Sequence, residues 1–322
     1  MTPAHPGRFR RLDFGDPALR GAFRRPAVSV GVFDGVHLGH AALVGRLVAS
    51  ARQADVDPVV VTFWPHPRGV LGGGAPPLIS TLAHRVALLR RLGLAGVVVL
   101  PFDAEVASWG PEAFVERVLV EGLGASRVVV GQDHHFGRGR QGDVALLGRL
   151  GERRGFVAEA LPLIAPDGAR ASSTAVREAL AAGDLQAAAR LLGRPVSVLG
   201  PVVPGHQRGR TIGFPTANLD LGDALRPPRG VYAVRARTVR DHVDGPLLPA
   251  VANVGRRPTV GAAEQDLVEV HLLEGGRDLY GQDLEVEIAE RLRDERRFDG
   301  VEALRAQIAL DAGRAREVLG AG

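Results

Sequence analysis

The chain has 322 residues, 45% of them hydrophobic, enough for two domains that each bury a core. It contains no Cys, and its 40 basic residues are all Arg, which excludes a disulfide framework, a thiolate nucleophile or zinc site, a lysine Schiff base and a lysine-bearing phosphate loop. Against 36 acidic residues these arginines leave a net charge of only +4, scattered rather than gathered in a stripe. With aromatics at 5% and no apolar stretch of spanning length, the expectation is a soluble cytoplasmic protein with neither a nucleic-acid nor a membrane partner.

After a loop-like start at Met1 to Pro6, Val28 to Val32 reads as a buried strand, and Leu38, Ala41, Ala42, Val44 and Val48 recur at roughly helical spacing. Between them lies Gly31-Val32-Phe33-Asp34-Gly35-Val36-His37-Leu38-Gly39-His40. His37 and His40 fall at the first turn of the helix, where backbone N–H groups are unpaired and the dipole is positive, which favours an anion such as polyphosphate. Gly31, Phe33, Asp34 and Gly39 are the accompanying candidates for phosphate contact. Two other readings carry less weight: a zinc pair, for which no third ligand stands at metal-site spacing, and two surface histidines at a cap, which leaves the rest of the constellation unexplained.

Further strand candidates are Val59 to Phe63, Val97 to Phe102, Arg127 to Gly131 and Gly155 to Ala160, alternating with helical stretches Leu82 to Leu92, Glu112 to Gly122 and Val144 to Arg154. Gly72 to Pro77 is a loop. The alternation predicts a parallel sheet covered by helices on both faces, with ligands outside the carboxyl ends of the strands. Directly after one strand comes Gly131-Gln132-Asp133-His134-His135-Phe136-Gly137-Arg138-Gly139-Arg140, whose spacing is too generic to favour a metal. Ser172-Ser173-Thr174-Ala175-Val176-Arg177 follows a Pro/Asp/Gly turn and opens a helix ending at Gly183. Alone, the hydroxyls read as no more than a helix cap; combined with the upstream histidine turn, and with Arg177 supplying a planar fork for phosphate oxygens, the run reads as a second clamp.

Near residue 190 the texture changes. Val196 to Val203, Val231 to Val239, Leu248 to Val254, Leu267 to Leu273 and Leu284 to Ile288 are short segments split by Gly and Pro, as in a small antiparallel barrel. A last helix carries Val301, Leu304, Ile308 and Val318 roughly on one face. The run Gly205-His206-Gln207-Arg208-Gly209-Arg210-Thr211-Ile212-Gly213-Phe214-Pro215-Thr216-Ala217-Asn218 joins backbone freedom with Arg208 and Arg210 for phosphate, and Thr216 and Asn218 as oxygen donors suited to Mg²⁺. A Gly-rich barrel corner is an equally good reading of these residues alone.

From about Val28 to Asp311 the sequence closely resembles the bifunctional bacterial riboflavin kinase/FAD synthetase family. In the first half the matching stretches are Gly31 to His40, Val61-Thr62-Phe63 with Pro65-His66-Pro67, Leu100-Pro101-Phe102-Asp103, Gly131 to Gly137, and Ser172 to Arg177. In the second they are Arg208 to Asn218, Gly230-Val231-Tyr232, Asn253 to Thr259, Glu269-Val270-His271, and Phe298-Asp299.

The resemblance implies a Rossmann-like α/β nucleotidyltransferase domain over residues 1–189 and a riboflavin kinase β-barrel with a C-terminal helix over 190–322. The partners it implies are riboflavin, FMN, FAD and ATP, with Mg²⁺ as cofactor. His37, His40, Ser173, Thr174 and Arg177 would serve transfer of AMP from ATP to FMN, with Asp133 and Phe136 as candidates for the flavin. Thr216 and Asn218 would take the magnesium nucleotide, with Arg208, Gly209 and Arg210 on its phosphates, and Glu269 would be the general base on the 5′-hydroxyl of riboflavin. Three positions depart from the family pattern: His134 stands where an apolar ring is expected, Trp64 where an acidic residue is expected, and Arg85 where a lysine is expected. A kinase with an impaired adenylyl site, a non-enzymatic flavin or nucleotide sensor, and a nucleic-acid binder are the competing readings.

Overall fold

The computed structural model describes residues 9–162, 171–205, 213–256, 266–274 and 278–320. It divides into two compact units, Met1–Pro76 with Arg85–Ser173, and Pro77–His84 with Thr174–Gly322.

The first unit holds a six-stranded sheet of β1 (Arg10–Asp13), β2 (Ala27–Val30), β3 (Pro58–Trp64), β4 (Gly96–Pro101), β5 (Arg127–Gly131) and β6 (Val157–Leu161), in the order β1-β4-β3-β2-β5-β6. All its pairings are parallel. β2 is buried throughout, and β3, β4 and β5 nearly so, which is why they read as continuous Val runs rather than alternating patterns. Around them lie α1 (Leu38–Ala54), α2 (Pro67–Val70), α3 (Leu82–Arg91), α4 (Ala104–Ser108), α5 (Pro111–Phe114, continued by a π-helical Val115–Gly122) and α6 (Val144–Arg154). α1 buries Leu43, Val44, Leu47 and Ala51, and Phe114, Val118, Leu119, Leu147 and Leu150 join the core around β2, β3 and β5. Each such aliphatic or aromatic side chain contributes roughly 1.5–3 kcal/mol.

The strand order reverses beside β2, which neighbours β3 on one side and β5 on the other. β2 pairs with β5 only at Ala27 and Val28, whereas its register with β3 continues to Val30. The ladder between β2 and β5 therefore ends before their carboxyl ends, at the topological switch point where open α/β sheets take ligands.

The second unit begins with α7 (Ser173–Ala181, from Thr174 onward) and α8 (Leu185–Leu192), and its strands are antiparallel. They are β7 (Ser197–Val203), β8 (Ala217–Leu219), β9 (Gly230–Arg240), β10 (Val243–Asp244), β11 (Leu248–Arg256), β12 (Asp266–Leu272) and β13 (Asp283–Arg293). The order β9-β11-β12-β8-β7-β13, with β13 returning to β9, closes a six-stranded barrel, and β10 hangs on the edge of β9.

The C-terminal helix α9 (Val301–Leu319) buries Asp311, Ala312, Ala315 and Leu319, with Val318 partly buried against the same cluster of Val231, Ala233, Val251 and Leu292. Val301, expected on that face, is 58% exposed. Full burial begins only at Asp311, almost three turns later, and includes a charge, because Asp311 takes a forked pair of hydrogen bonds from Arg293 at 2.8–3.0 Å.

Residues 77–84 belong to this second unit although they lie within the first half of the chain. The Leu225 amide donates to the Leu78 carbonyl at 2.6 Å, and Thr81 Oγ1 donates to the Leu199 carbonyl at 2.9 Å. Buried His84 brings Nε2 to 3.1 Å from Ser197 Oγ and 3.3 Å from Glu285 Oε1. Glu285 in turn accepts from Arg237 Nε at 2.7 Å.

Candidate functional site

The Gly31–His40 turn leaves the carboxyl end of β2 through a backbone few side chains tolerate. Phe33, Gly35 and Val36 all have positive φ, of 53°, 76° and 43°. For a β-branched residue such as Val36 this is a true outlier, and each such non-glycine residue costs on the order of 1–3 kcal/mol. Gly31 is required by its neighbour: a Cβ there would lie 3.0 Å from the Phe33 ring, which is itself buried.

Surrounding bonds hold the strained path. Buried Asp34 accepts from Ser173 Oγ at its carbonyl, 3.1 Å away, so Ser173 is brought to the histidine turn. Beneath it, Thr62 Oγ1 donates to the Val32 carbonyl at 2.9 Å.

His37 is the N-cap of α1, accepting the His40 backbone N–H at Nδ1 over 3.3 Å. The accepting nitrogen bears no proton, so the tautomer inferred from this bond carries it on Nε2. The two imidazoles stack with centroids 3.7 Å apart and planes at 18°, and Phe33 packs on His40 at 5.1 Å. Gly39 sits in a tight space, since a Cβ there would lie 3.2 Å from the His37 ring and 3.4 Å from the Ala171 carbonyl. Two nitrogen-rich rings, a capped helix N-terminus and a hydroxyl-bearing helix start thus meet within the first unit, a constellation suited to an anion.

Thr174 and Arg177 count with the second unit, where Arg177 Nε donates to the Pro77 carbonyl at 2.7 Å.

Of the loop after β5, Asp133 is exposed and its carbonyl faces His135 Nδ1 at 2.9 Å. Phe136 is a buried core residue, its amide and carbonyl both paired to Gly142 and its ring 6.0 Å from Phe114. His134 lies nearly parallel to Phe136, centroids 5.8 Å apart. Burial above all, then the neighbouring His135 and Arg140, push its imidazole down to about 4, so at neutral pH it presents a flat uncharged ring.

In the barrel, strand register assembles the second set. Asn218 of β8 stands opposite Glu269 of β12, which stands opposite Asn253 of β11, so all three share one face of the sheet. Their neighbours Ala217, Val268, Val270, Ala252 and Val254 are buried on the other face. Asn218 is buried, and its Oδ1 has no hydrogen-bond partner among the described residues. Its amide packs on Gly205, where a Cβ would overlap it. Thr216, half-buried, precedes β8 in a segment tied to β12 by His271 Nδ1–H donating to the Pro215 carbonyl at 2.9 Å. Arg208, Gly209 and Arg210 lie outside the described residues.

Sequence reasoning named neither Asn253 nor Gly205 as site residues. The signal for Asn253 was a polar residue in an apolar strand, and for Gly205 only its packing against Asn218, which the sequence does not display.

Residues 21–175 match the family model described as FAD synthetase, and residues 192–319 the one described as riboflavin kinase. The chain is 41% identical over 298 residues to the bifunctional riboflavin kinase/FMN adenylyltransferase of Pseudomonas fluorescens, covering 92% of this chain and 94% of that one. It is 40% identical to the Escherichia coli K12 protein of the same name (91% and 92%) and 35% to that of Bacillus subtilis (89% and 90%). A crystal structure described as a macrolide-efflux protein from Streptococcus pneumoniae superposes with a TM-score of 0.71 at 31% identity, over 90% of this chain and 94% of that one. Among the described residues no helix is long and apolar enough to cross a membrane. With both family models matched in order and relatives similar over nearly their whole length, the chain belongs to the bifunctional riboflavin kinase/FMN adenylyltransferase family.

Proposed function

We propose that this chain makes FAD in two ATP-dependent steps, in the cytoplasm, with the kinase in residues 190–322 and the adenylyltransferase in 1–189. The observation that supports the reading is two separate polar constellations, one in each compact unit: the His37/His40 turn with Ser173, and the face bearing Asn218 and Glu269.

In the kinase step the 5′-hydroxyl oxygen of riboflavin forms a bond to the γ-phosphorus of ATP, the bond to the β,γ-bridging oxygen breaks, and ADP leaves. Glu269 takes the hydroxyl proton as general base. Mg²⁺ fits the donors present: a buried Asn218 oxygen without a hydrogen-bond partner among the described residues and the Thr216 hydroxyl are hard, uncharged ligands of the kind it takes alongside nucleotide phosphates. When bound, the ion supplies charge neutralisation for the leaving oxygens. Arg208 and Arg210 contribute the fork donors on the nucleotide phosphates.

In the adenylyl step an oxygen of the FMN phosphate attacks the α-phosphorus of a second ATP, the α,β-bridging bond breaks, and pyrophosphate leaves. This needs no protein nucleophile, only in-line placement and stabilisation of the charge moving onto pyrophosphate. His37 offers its Nε2–H, His40 its ring, and Ser173 an opposing hydroxyl donor. Phe136 backs the loop after β5 and Asp133 presents its carboxylate there to the flavin. A neutral, stacked His134 keeps that loop a flat aromatic surface, which favours two working activities over a kinase with an impaired partner.

Labelled ATP tests the assignment. A γ-phosphate label should enter FMN and persist in FAD, while an α-phosphate label should enter FAD alone; α-label missing from FAD would remove the adenylyl step.

A further inference from the structure

Arg85 is an arginine at 0% exposure at the base of the histidine turn. Its Nη1 donates to Thr62 Oγ1 and to the Phe63 carbonyl, each at 3.2 Å, and its Nη2 lies 3.9 Å from the carboxylate of Asp34, which is itself 1% exposed. Thr62 passes the connection on, donating to the Val32 carbonyl. One guanidinium therefore reaches the turn on two sides, at Val32 through a hydroxyl and at Asp34 directly. Between those grips lies Phe33, and just beyond them Val36, the two non-glycine residues of the turn held at positive φ. A path of that kind persists only when its surroundings over-determine it. Burying an arginine for packing alone is unfavourable, since its charge must be met by fixed partners.

We infer that Arg85 is a positioning residue for adenylyl transfer: it clamps the strained turn so that the His37 and His40 rings stay in their stacked arrangement. The inference rests on the assignment of that turn to adenylyl transfer. Arg85 touches no substrate. Its effect is on the geometry of the rings, hence on turnover more than on ATP affinity.

The test is steady-state kinetics on the full-length chain carrying Arg85→Met, which keeps length and apolar volume but removes every donor. The adenylyl kcat should fall about 10- to 100-fold while KM for ATP and FMN moves less than about threefold, as for a displaced reacting group. Riboflavin kinase turnover, in the other unit, should be unchanged. Arg85→Lys should recover kcat to within about fivefold of the parent, because an ammonium offers three donors to the same three acceptors. A merely structural role would lower both activities through loss of folded protein and would not separate kcat from KM.

Parental adenylyl kcat in Arg85→Met overturns the inference, as does a Lys variant no better than the Met variant. If Arg85→Met does not fold, Thr62→Val cuts the link to Val32 alone and should lower adenylyl kcat at least about fivefold; parental turnover there also overturns it. His40→Ala separates the two levels. If that variant still makes FAD at the parental rate, the assignment of the turn is wrong; if it does not and Arg85→Met does, only the positioning role fails.

Discussion

His37 accepts the backbone N–H of His40 at Nδ1 while the two imidazoles stack 3.7 Å apart, so one histidine caps the helix and fixes the other in place. Removing His40 deletes a ring from the phosphate site but leaves the cap acceptor. His40→Ala should therefore lower FMN-to-FAD turnover about a hundred- to a thousandfold, the range for one lost charge-stabilising contact, with riboflavin-to-FMN turnover unchanged. Chromatography of the flavins checks it, and FMN accumulates.

Glu269 occupies the middle of the Asn218–Glu269–Asn253 row. Glu269→Gln keeps size and hydrogen bonding but cannot accept a proton. It should reduce riboflavin phosphorylation roughly a hundred- to ten-thousandfold with little change in riboflavin affinity, while added FMN is still converted to FAD. Near-parental turnover would leave positioning as the main source of catalysis.

Gly205 leaves room for the Asn218 amide, and a methyl group there would displace it. Gly205→Ala should raise the kinase KM for magnesium ATP about tenfold and shift its magnesium requirement upward, as expected for a misplaced oxygen ligand. A magnesium titration of the variant reads this directly, with adenylyl transfer as the internal control.

A fragment of residues 190–322 retains Thr216, Asn218 and Glu269 and should phosphorylate riboflavin. It lacks Leu78, Thr81 and His84, which in the second unit meet Leu225, Leu199, Ser197 and Glu285. It also lacks residues 174–189 of that unit; losing buried Leu78, Ile79, Val176 and Leu180 together with these hydrogen bonds should reduce its stability by roughly 5 kcal/mol or more relative to the same unit in the whole chain. Urea unfolding compares the two, and equal midpoints would show that 77–84 and 174–189 add nothing to the barrel.

What was legible in the sequence follows from how local each signal is. Val59 to Phe63 announced β3 because a strand buried on both faces is a continuous apolar run, and the histidine turn announced itself because glycines, a cap and a helix start lie within ten residues. β1 did not: Arg-Arg-Leu-Asp carries no apolar run, and it is a strand only because β4 offers it an edge. Arg85 in a helical pattern reads as a solvated face. Its burial depends on Thr62 and Asp34, more than twenty residues away, and on Trp64, whose ring lies 5.8 Å from the guanidinium. Trp64 and Arg85, 21 residues apart in the sequence, are thus one contact in space. The membership of 77–84 in the second unit is equally invisible, since its partners at Leu199, Ala224 and Glu285 are more than a hundred residues on.

Both activities in one chain can be read from purified protein given riboflavin, ATP and Mg²⁺, with the three flavins separated over time. Riboflavin should decline, FMN rise first, and FAD then accumulate at the expense of FMN. Riboflavin left unconverted, or FMN that accumulates without FAD even when ATP is in excess, would contradict the two-activity reading.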